Sequence, residues 1–394
     1  MSGRKKILFI SDEQIGATVA GPGMRYLELA NAMGNKYDVW LTANADAGIT
    51  NKKFNVLNMP VFLKINLGIK ITLPNPALKK KLNDYDFVIA KKEIIPAFGF
   101  PKIRGGFIAD LYCPSLFENL ESIRFRKETA LAREIKLLKK IMRHADFIIC
   151  ANQRQKDFYL SLLSEAERKN KAIGLVPTGI PSIPPQHTKN VLKGVVPGIS
   201  PADRVILWWG GIWDWLDAET PIKAVAQASK ARNDLRLVFF GIKHPNLPLT
   251  RAAQKALQLS KDLGVYEKQV FFIQQWVPYE ERASWLLESD LGIICHHETL
   301  ETHFSWRTRV LDYFWAGLPV ITTEGDSMAE LVKLHGLGKT VPPNDPDKLA
   351  QAILDLLNDR DQYRQAKENI EIFKPTLYWE KVVSAIERYI ERPK

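Results

Sequence analysis

The sequence predicts an α/β protein of two doubly wound domains, each with a parallel sheet covered by helices on both faces. Short apolar runs of strand length alternate with longer amphipathic stretches over residues 5–176, and the alternation starts again at Val205. Apolar runs bounded by turn residues are typical of strands that are buried on both faces. The chain has 394 residues, which is long for one domain and sufficient for two.

The predicted strands are spaced so that a helix fits between most of them. In the first half they cover residues 5–11, 37–42, 54–57, 86–90, 103–109, 147–150 and 172–176. In the second half they cover residues 205–209, 235–241, 270–273, 291–295 and 319–323. Amphipathic periodicity predicts helices over residues 22–33, 115–144, 346–358, 361–373 and 376–390.

A proline-rich stretch separates the two series. It begins at Pro181 and continues through Pro184, Pro185 and mainly polar residues to Pro201. Proline stiffens a connection and is unfavourable inside a helix. We therefore expect an N-terminal domain of residues 1–195, a second domain of residues 196–375 and a final segment of residues 376–394.

Composition limits the cellular context. Hydrophobic residues make up 46% of the chain, and its three cysteines are widely spaced, which favours a reduced cytoplasmic protein without disulfides. The apolar run near the N-terminus is too short for a signal peptide, and no run of about 18 apolar residues predicts a membrane span. A peripheral position on the inner face of the plasma membrane stays open.

The charge is unevenly divided between the halves. Residues 1–195 contain 31 basic and 17 acidic side chains, a net charge of +14, whereas the remainder has a net charge of −3. This asymmetry favours an anionic membrane surface or a phosphate-bearing acceptor as the partner of the first half. Simple solubility charge is the alternative. Nucleic acid is disfavoured because no RNP aromatics or paired C-x-x-C motifs occur.

The stretch from Cys295 to Val332 has the features of an anion site. It predicts one helix that starts near Ser305 and another that opens at Gly325, Asp326 and Ser327. Helix N-termini present unpaired backbone N–H groups and a positive dipole end, which bind phosphate groups well.

Two arginines and an acid in the same stretch support this interpretation. Arg307 and Arg309 fall in the opening turn of the first helix, where a basic residue needs a compensating anion. A bound diphosphate would supply it. Asp312 follows Arg309 by three residues on the same helix face, where its carboxylate could accept hydrogen bonds from a ribose diol.

These residues resemble those of the retaining glycosyltransferases of the GT-B fold, family 4. The family's signature places an acidic residue before an apolar stretch and Gly-x-Pro-Val, and the segment from Asp312 through Gly317 to Val320 is similar to it. The resemblance implies two facing Rossmann-like domains with a deep cleft between them. It also implies that Asp312 holds the nucleotide ribose and that the final helix packs back on the acceptor-side first domain, with Trp379 as an anchor.

The sequence departs from the family at two places. The acidic residue that many members have eight positions before the ribose carboxylate is Phe304 here, so Glu301 or Glu298 would have to substitute for it. The Arg and Lys pair that follows the first strand of the second domain is also absent. The diphosphate charge would then fall to Arg307, Arg309 and Lys243.

Further contacts are expected where strands end. The resemblance brings the loop with Gly21 and Gly23 near the substrates, and Asp110 follows a strand at the edge where parallel sheets bind ligands. Asp110 either contacts sugar hydroxyls or caps the next helix. The other expected contacts with the donor are Gly210 and Gly211 for close backbone approach, Trp213 for stacking, and Trp276 and Val277 beside the base.

The sequence thus predicts a sugar transferase of the hexosyltransferase type that uses a UDP-, GDP- or dTDP-linked sugar with retention. The resemblance implies a saccharide or lipid-linked acceptor and a role in cell-surface polysaccharide or glycoconjugate synthesis. No cofactor is expected, and no metal, since the adjacent His296 and His297 face opposite ways on an extended loop. A nucleotide-sugar epimerase of the same fold and an inactive sugar-nucleotide-binding subunit are the alternatives.

Overall fold

A computed structural model describes most of the chain. The described residues are 3–13, 21–43, 52–66, 70–112, 115–118, 128–242, 248–274, 277 and 281–392. They divide into two compact units, which we call the first unit (residues 1–179 and 377–394) and the second unit (residues 180–376). The proline-rich stretch belongs to the second unit, so the limit that the sequence suggested at residue 195 lies inside that unit.

The first unit is built on a parallel sheet. The order of its strands in the described residues is β3-β2-β1-β6-β7-β8-β9. The strands are β1 (Lys6–Ile10), β2 (Asp38–Ala43), β3 (Asn55–Asn58), β6 (Phe87–Lys91), β7 (Gly106–Asp110), β8 (Phe147–Cys150) and β9 (Ile173–Leu175). A separate antiparallel hairpin of β4 (Phe62–Asn66) and β5 (Lys70–Pro74) was not predicted.

Helices of the first unit pack on both faces of this sheet. They are α1 (Gly21–Met33), α2 (Pro76–Lys81), α3 (Ile94–Ala97), α4 (Ser115–Glu118), α5 (Glu128–His144), α6 (Gln153–Ser161) and α7 (Glu165–Asn170). The apolar core forms one cluster on each face of the sheet. The helix predicted over residues 115–144 corresponds to α4 and α5, and residues 119–127 between them lie outside the described part.

The second unit repeats the arrangement. Its described strands are all parallel, in the order β12-β11-β10-β13-β14-β15. They are β10 (Arg204–Trp209), β11 (Leu235–Phe240), β12 (Val270–Ile273), β13 (Leu291–Ile294), β14 (Val320–Thr323) and β15 (Gly338–Val341). The helices are α8 (Glu219–Ala228), α9 (Arg251–Asp262), α10 (Arg282–Leu287), α11 (Leu300–Phe304), α12 (Thr308–Trp315), α13 (Ser327–His335), α14 (Pro346–Asn358) and α15 (Arg360–Phe373).

The chain returns to the first unit at its end. Two helices, α16 (Trp379–Val382) and α17 (Ser384–Glu391), pack against the same sheet face as α1. Trp379 is buried in that cluster, and the phenolic hydroxyl of Tyr37 donates to Glu391 at 2.9 Å. Among the described helices, none combines the length and the apolar character that a membrane span requires.

We expect Trp379→Ala to destabilise the first unit strongly. Truncation of a buried tryptophan removes apolar contacts and leaves a cavity, which costs about 3–5 kcal/mol of free energy of unfolding. Urea denaturation followed by circular dichroism measures this loss. Leu137→Ala is the control in the same unit, because Leu137 is 43% exposed and should change the free energy by about 0.5 kcal/mol or less. Equal effects of both variants would contradict the prediction.

Candidate functional site

Arg309 lies at the start of α12 and carries a positive charge that no acidic side chain of the described residues balances. Its Nη2 donates to the carbonyl oxygen of Gly211 at 2.9 Å, and its Cζ lies 5.2 Å from the centre of the Trp208 ring. Its Nη1 is buried without a hydrogen-bond partner, and no carboxylate lies within 4 Å among the described residues. Burial and the nearby charge of Arg307 lower the pKa of Arg309 to about 10, although Tyr313 opposes the shift.

An unbalanced buried cation has a specific chemical consequence. Removing a guanidinium from water costs several kcal/mol unless an opposite charge and hydrogen bonds compensate for it. Arg309 meets only a neutral carbonyl and an aromatic face in the described part of the chain. An anion that accepts from Nη1 would therefore be stabilised at this position.

Asp312 lies one turn further along α12 and is paired with a residue from another helix. Its Oδ1 lies 3.2 Å from Nε of Arg282 in α10. The Arg282 guanidinium in turn stacks over Trp315, 4.3 Å from the ring centre. Burial raises the pKa of Asp312, and the ion pair with Arg282 opposes that rise. The sequence analysis did not identify Arg282, because it precedes Asp312 by 30 residues.

Arg307 is balanced by acids of the protein itself. Its two terminal nitrogens donate to both carboxylate oxygens of Glu301, at 2.9 and 2.7 Å. Its Nε lies 3.4 Å from Oδ2 of Asp326. The residue is also the N-cap of α12 and precedes the helix. This corrects the expectation that Arg307 lies in the first helical turn and needs a bound diphosphate as its counter-charge.

The tip of α13 carries its own negative charge. Asp326 is the N-cap, its Oδ1 accepts from the Ala329 amide at 2.7 Å, and its Oδ2 lies 3.3 Å from Nε2 of the buried His296. Burial alone would raise the pKa of Asp326, but His296, Arg307 and the Ala329 amide together hold it below its usual value. The carboxylate thus satisfies one of the free amides at this helix tip, that of Ala329.

Other predicted residues of the 295–332 stretch surround this charged group. The hydroxyl of Ser327 is buried without a hydrogen-bond partner in the described structure. Gly325 has φ +122°, and a Cβ there would lie 3.5 Å from Thr302. Ser305 ends α11 instead of starting a helix, and its hydroxyl donates to the carbonyl oxygen of Thr302 at 2.9 Å.

The loop after β10 brings glycines and indoles beside Arg309. Gly210 has φ +88°, which favours glycine, and a Cβ at Gly211 would lie 3.4 Å from the indole of Trp213. The rings of Trp213 and Trp215 stack at 5.6 Å with an interplanar angle of 8°, and both are partly exposed. This loop and Arg309 are about 100 residues apart in sequence, and the parallel sheet brings them together.

Asp110 in the first unit is engaged in a buried ion pair. Arg25 donates to both of its oxygens, at 2.9 and 3.1 Å, and to the carbonyl oxygen of Pro177 at 2.9 Å. Each of the two charged side chains is 1% exposed. Gly21 and Gly23 open α1, the helix that carries Arg25. The structure thus places Asp110 in a paired, solvent-excluded position, where its Oδ1 also accepts from the amide of Tyr112 at 3.1 Å. The two expected contacts, with a sugar or with the next helix, stay predictions.

Three predicted contacts give less information. Lys243 and Trp276 lie outside the described residues. Val277 is described and partly buried, with no neighbour that assigns it a role.

Part of the second unit matches a known protein family. Residues 203–359 match the family model of glycosyl transferases group 1. The matched range includes Arg309 and Asp312. The fold is GT-B. No curated protein sequence matches the chain.

Several solved structures share this fold along nearly the whole chain. HepE of Anabaena, solved with UDP-glucose, is 15% identical over 98% of both chains, with a TM-score of 0.68. The sucrose-phosphate synthase of Thermosynechococcus elongatus is 15% identical over 98% of both chains, with a TM-score of 0.62. WaaG, a glycosyltransferase involved in lipopolysaccharide biosynthesis, is 15% identical over 98% of both chains, with a TM-score of 0.60.

The two aspartates of the second unit should affect stability with opposite pH dependence. The pKa of Asp326 is lowered in the folded protein, so its contribution to the free energy of unfolding is present above about pH 4 and is lost as pH falls. The pKa of Asp312 is raised, so its contribution is present below about pH 4 and is lost as pH rises.

Urea denaturation of Asp326→Asn and Asp312→Asn between pH 3 and pH 7 measures this difference. The free energy of unfolding of wild type, relative to that of Asp326→Asn, should rise as pH rises. Relative to that of Asp312→Asn, it should fall over the same range. A change of both differences in the same direction with pH would contradict the opposite pKa shifts of Asp312 and Asp326.

Proposed function

We propose that this protein transfers a sugar from a nucleotide-diphosphate sugar to a hydroxyl-bearing acceptor, with retention of anomeric configuration. The observation that carries the proposal is the partly buried Arg309 guanidinium, which has no acidic partner among the described residues and lies beside Gly211. The match to glycosyl transferases group 1 over residues 203–359 supports it, as does the shared fold with HepE, which was solved with UDP-glucose.

The donor would bind along the carboxyl ends of the strands in the second unit, where open parallel sheets bind ligands. Arg309 would hold the diphosphate through Nη1, the atom that has no partner in the protein. Asp312 would accept from the ribose, and Trp213 would stack on the base or the sugar. Gly210 and Gly211 would let the phosphates approach the backbone, with Lys243, Trp276, Val277, Gly325 and Ser327 as further predicted contacts.

The reaction would depend mainly on stabilising the leaving group. The bond from the anomeric carbon to the phosphate oxygen breaks, and the acceptor oxygen forms its bond on the same face. The proton of the acceptor hydroxyl passes to the departing phosphate oxygen. Arg309 would neutralise the charge that develops on the diphosphate. A preorganised hydrogen-bonding group in a site without water lowers the activation free energy by several kcal/mol.

Arg307, Glu301 and Asp110, first predicted as catalytic, would act by positioning other groups. Glu301 holds Arg307 through two hydrogen bonds, and Asp110 is held in the same way by Arg25. A carboxylate with both oxygens paired, as in Glu301 and Asp110, has little capacity for a substrate, whereas Asp312 pairs with Arg282 through one oxygen, Oδ1. We therefore assign to them the placement of the loops that bear the reacting contacts.

The acceptor would be a saccharide or a lipid-linked molecule, as in the synthesis of a cell-surface polysaccharide. The excess positive charge of the first half suits a phosphate-bearing acceptor or an anionic membrane surface. Helix α5 contributes to this charge with the exposed side chains of Arg133, Lys136 and Lys140. Cosedimentation with anionic phospholipid vesicles, weakened in Lys136→Glu, would support the membrane surface. No binding by wild type would exclude it.

Arg309→Ala should reduce the kcat/KM for transfer by about 100-fold or more, because it removes the charge that stabilises the leaving group. A panel of UDP-, GDP- and dTDP-sugars identifies the donor by isothermal titration, and product analysis with that donor measures the transfer. Arg251→Ala is the control in the same unit, since Arg251 is exposed at the start of α9, and it should leave kcat/KM unchanged.

Each result of this experiment separates one hypothesis from the others. Full activity of Arg309→Ala removes the residue from the mechanism. Donor binding by wild type without transfer to any acceptor favours an inactive sugar-nucleotide-binding subunit. Turnover of the donor without an acceptor favours an epimerase.

A further inference from the structure

A second candidate site lies wholly within the first unit and is separate from the proposed donor site. It is a cavity of about 400 Å³ between the edge strand β9 and the helices α6, α7 and α17. We call it the basic cavity. None of the residues that line it is acidic, and all of them belong to the described part of the chain. Its cationic side chains are Lys156, Arg168, Lys171, Arg388 and Arg392.

In the described part of the chain, these five cations form no ion pairs with acidic side chains. Arg168 donates through Nε to the carbonyl oxygen of Leu163 at 3.0 Å, and Lys171 donates to the carbonyl oxygens of Arg143 and Ala145. Within the described ranges, no carboxylate lies within 4 Å of the charged atoms of any of the five. Neutral carbonyls accept their hydrogen bonds but leave the positive charge in place.

The two acids whose charges act on Lys171 are held by other groups. Asp146 accepts from the amide of Phe107 at 2.7 Å, and Glu167 is paired with Arg143 and with the N-cap Ser164. Burial lowers the pKa of Lys171 even though these two carboxylates raise it. The positive potential of the basic cavity is therefore only partly offset by its surroundings.

The floor of the cavity is flat, apolar and closely packed. Phe147 and Tyr389 stack face to face, with ring centres 4.5 Å apart and an interplanar angle of 6°. Gly174 allows this packing, because a Cβ there would lie 2.6 Å from Phe147 and 3.1 Å from Ala385. This packing fixes α17 against the edge strand β9. Arg388, on α17, and Arg392, directly after it, are therefore held in place.

The basic cavity lies away from the carboxyl ends of the strands. Phe147 and Ile173 are the first residues of β8 and β9, whereas Asp110 is the last residue of β7. Substrates of open parallel sheets bind beyond the carboxyl ends. The cavity is therefore at a different place from the expected acceptor region of this unit.

We propose that the basic cavity binds a phosphate-bearing anion. Forked guanidiniums suit phosphate oxygens, and three arginines and two lysines supply more positive charge than a single carboxylate needs. The volume lies within the range of about 300–1,000 Å³ that small-molecule sites occupy. The ligand is a soluble phosphate compound or the headgroup of an anionic lipid.

Inorganic pyrophosphate and phosphatidylglycerol vesicles are the two probes, used with the full chain at low ionic strength. Titration calorimetry measures the first and cosedimentation the second, each with and without the other as competitor. The double variant Arg388→Gln/Arg392→Gln should weaken binding at least tenfold. Lys102→Gln is the matched control, since Lys102 is exposed in the same unit outside the cavity, and it should alter binding less than twofold.

The results identify the source or overturn the proposal. Pyrophosphate binding that the double variant weakens supports a soluble ligand, and vesicle binding that it weakens without pyrophosphate binding supports a lipid headgroup. The proposal is overturned if neither probe binds, or if Lys102→Gln weakens binding as much as the double variant does. Lys156→Gln, on α6, repeats the test if circular dichroism shows that the double variant does not fold.

Discussion

The second unit is organised around a positive charge on the partly buried Arg309, which has no acidic counterpart among the described residues. Its guanidinium is held by one neutral carbonyl and by the face of Trp208. Such a charge costs free energy in the folded protein unless a ligand provides the missing negative charge. Functional sites commonly contain charged groups that destabilise the free protein and that are stabilised when a ligand binds. Groups with shifted pKa values are frequent at such sites.

The other buried charges near this position are neutralised, and the contrast defines what each can do. Glu301, Arg307, Asp326 and His296 form a connected group that ties the loop after β13 to the tip of α13. Arg25 and Asp110 do the same for α1 and the end of β7 in the first unit. Paired charges of this kind fix loop geometry, and they leave the uncompensated guanidinium as the group that is available to an anion.

The sheets could be predicted from the sequence where burial dictates the residue pattern. The runs that became β1, β8, β10 and β13 are nearly continuous in apolar residues, because both faces of these strands are covered. The hairpin of β4 and β5 and the edge strand β15 were not predicted. Their sequences alternate or include polar residues. In β5 Thr72 and Leu73 are exposed, and in β15 Gly338, Lys339 and Thr340 are only partly buried.

Residue patterns alone specify the alternation of strands and helices and the positions of the strand ends. They also place Arg309 and Asp312 one helical turn apart. The pairing of charged side chains, in contrast, depends on the three-dimensional fold. Arg282 reaches Asp312 across 30 residues, Arg25 reaches Asp110 across 85, and the loop at Gly211 reaches Arg309 across 98. Backbone periodicity is a local property that residue patterns record, whereas charge compensation acts through space between segments that the sheets bring together.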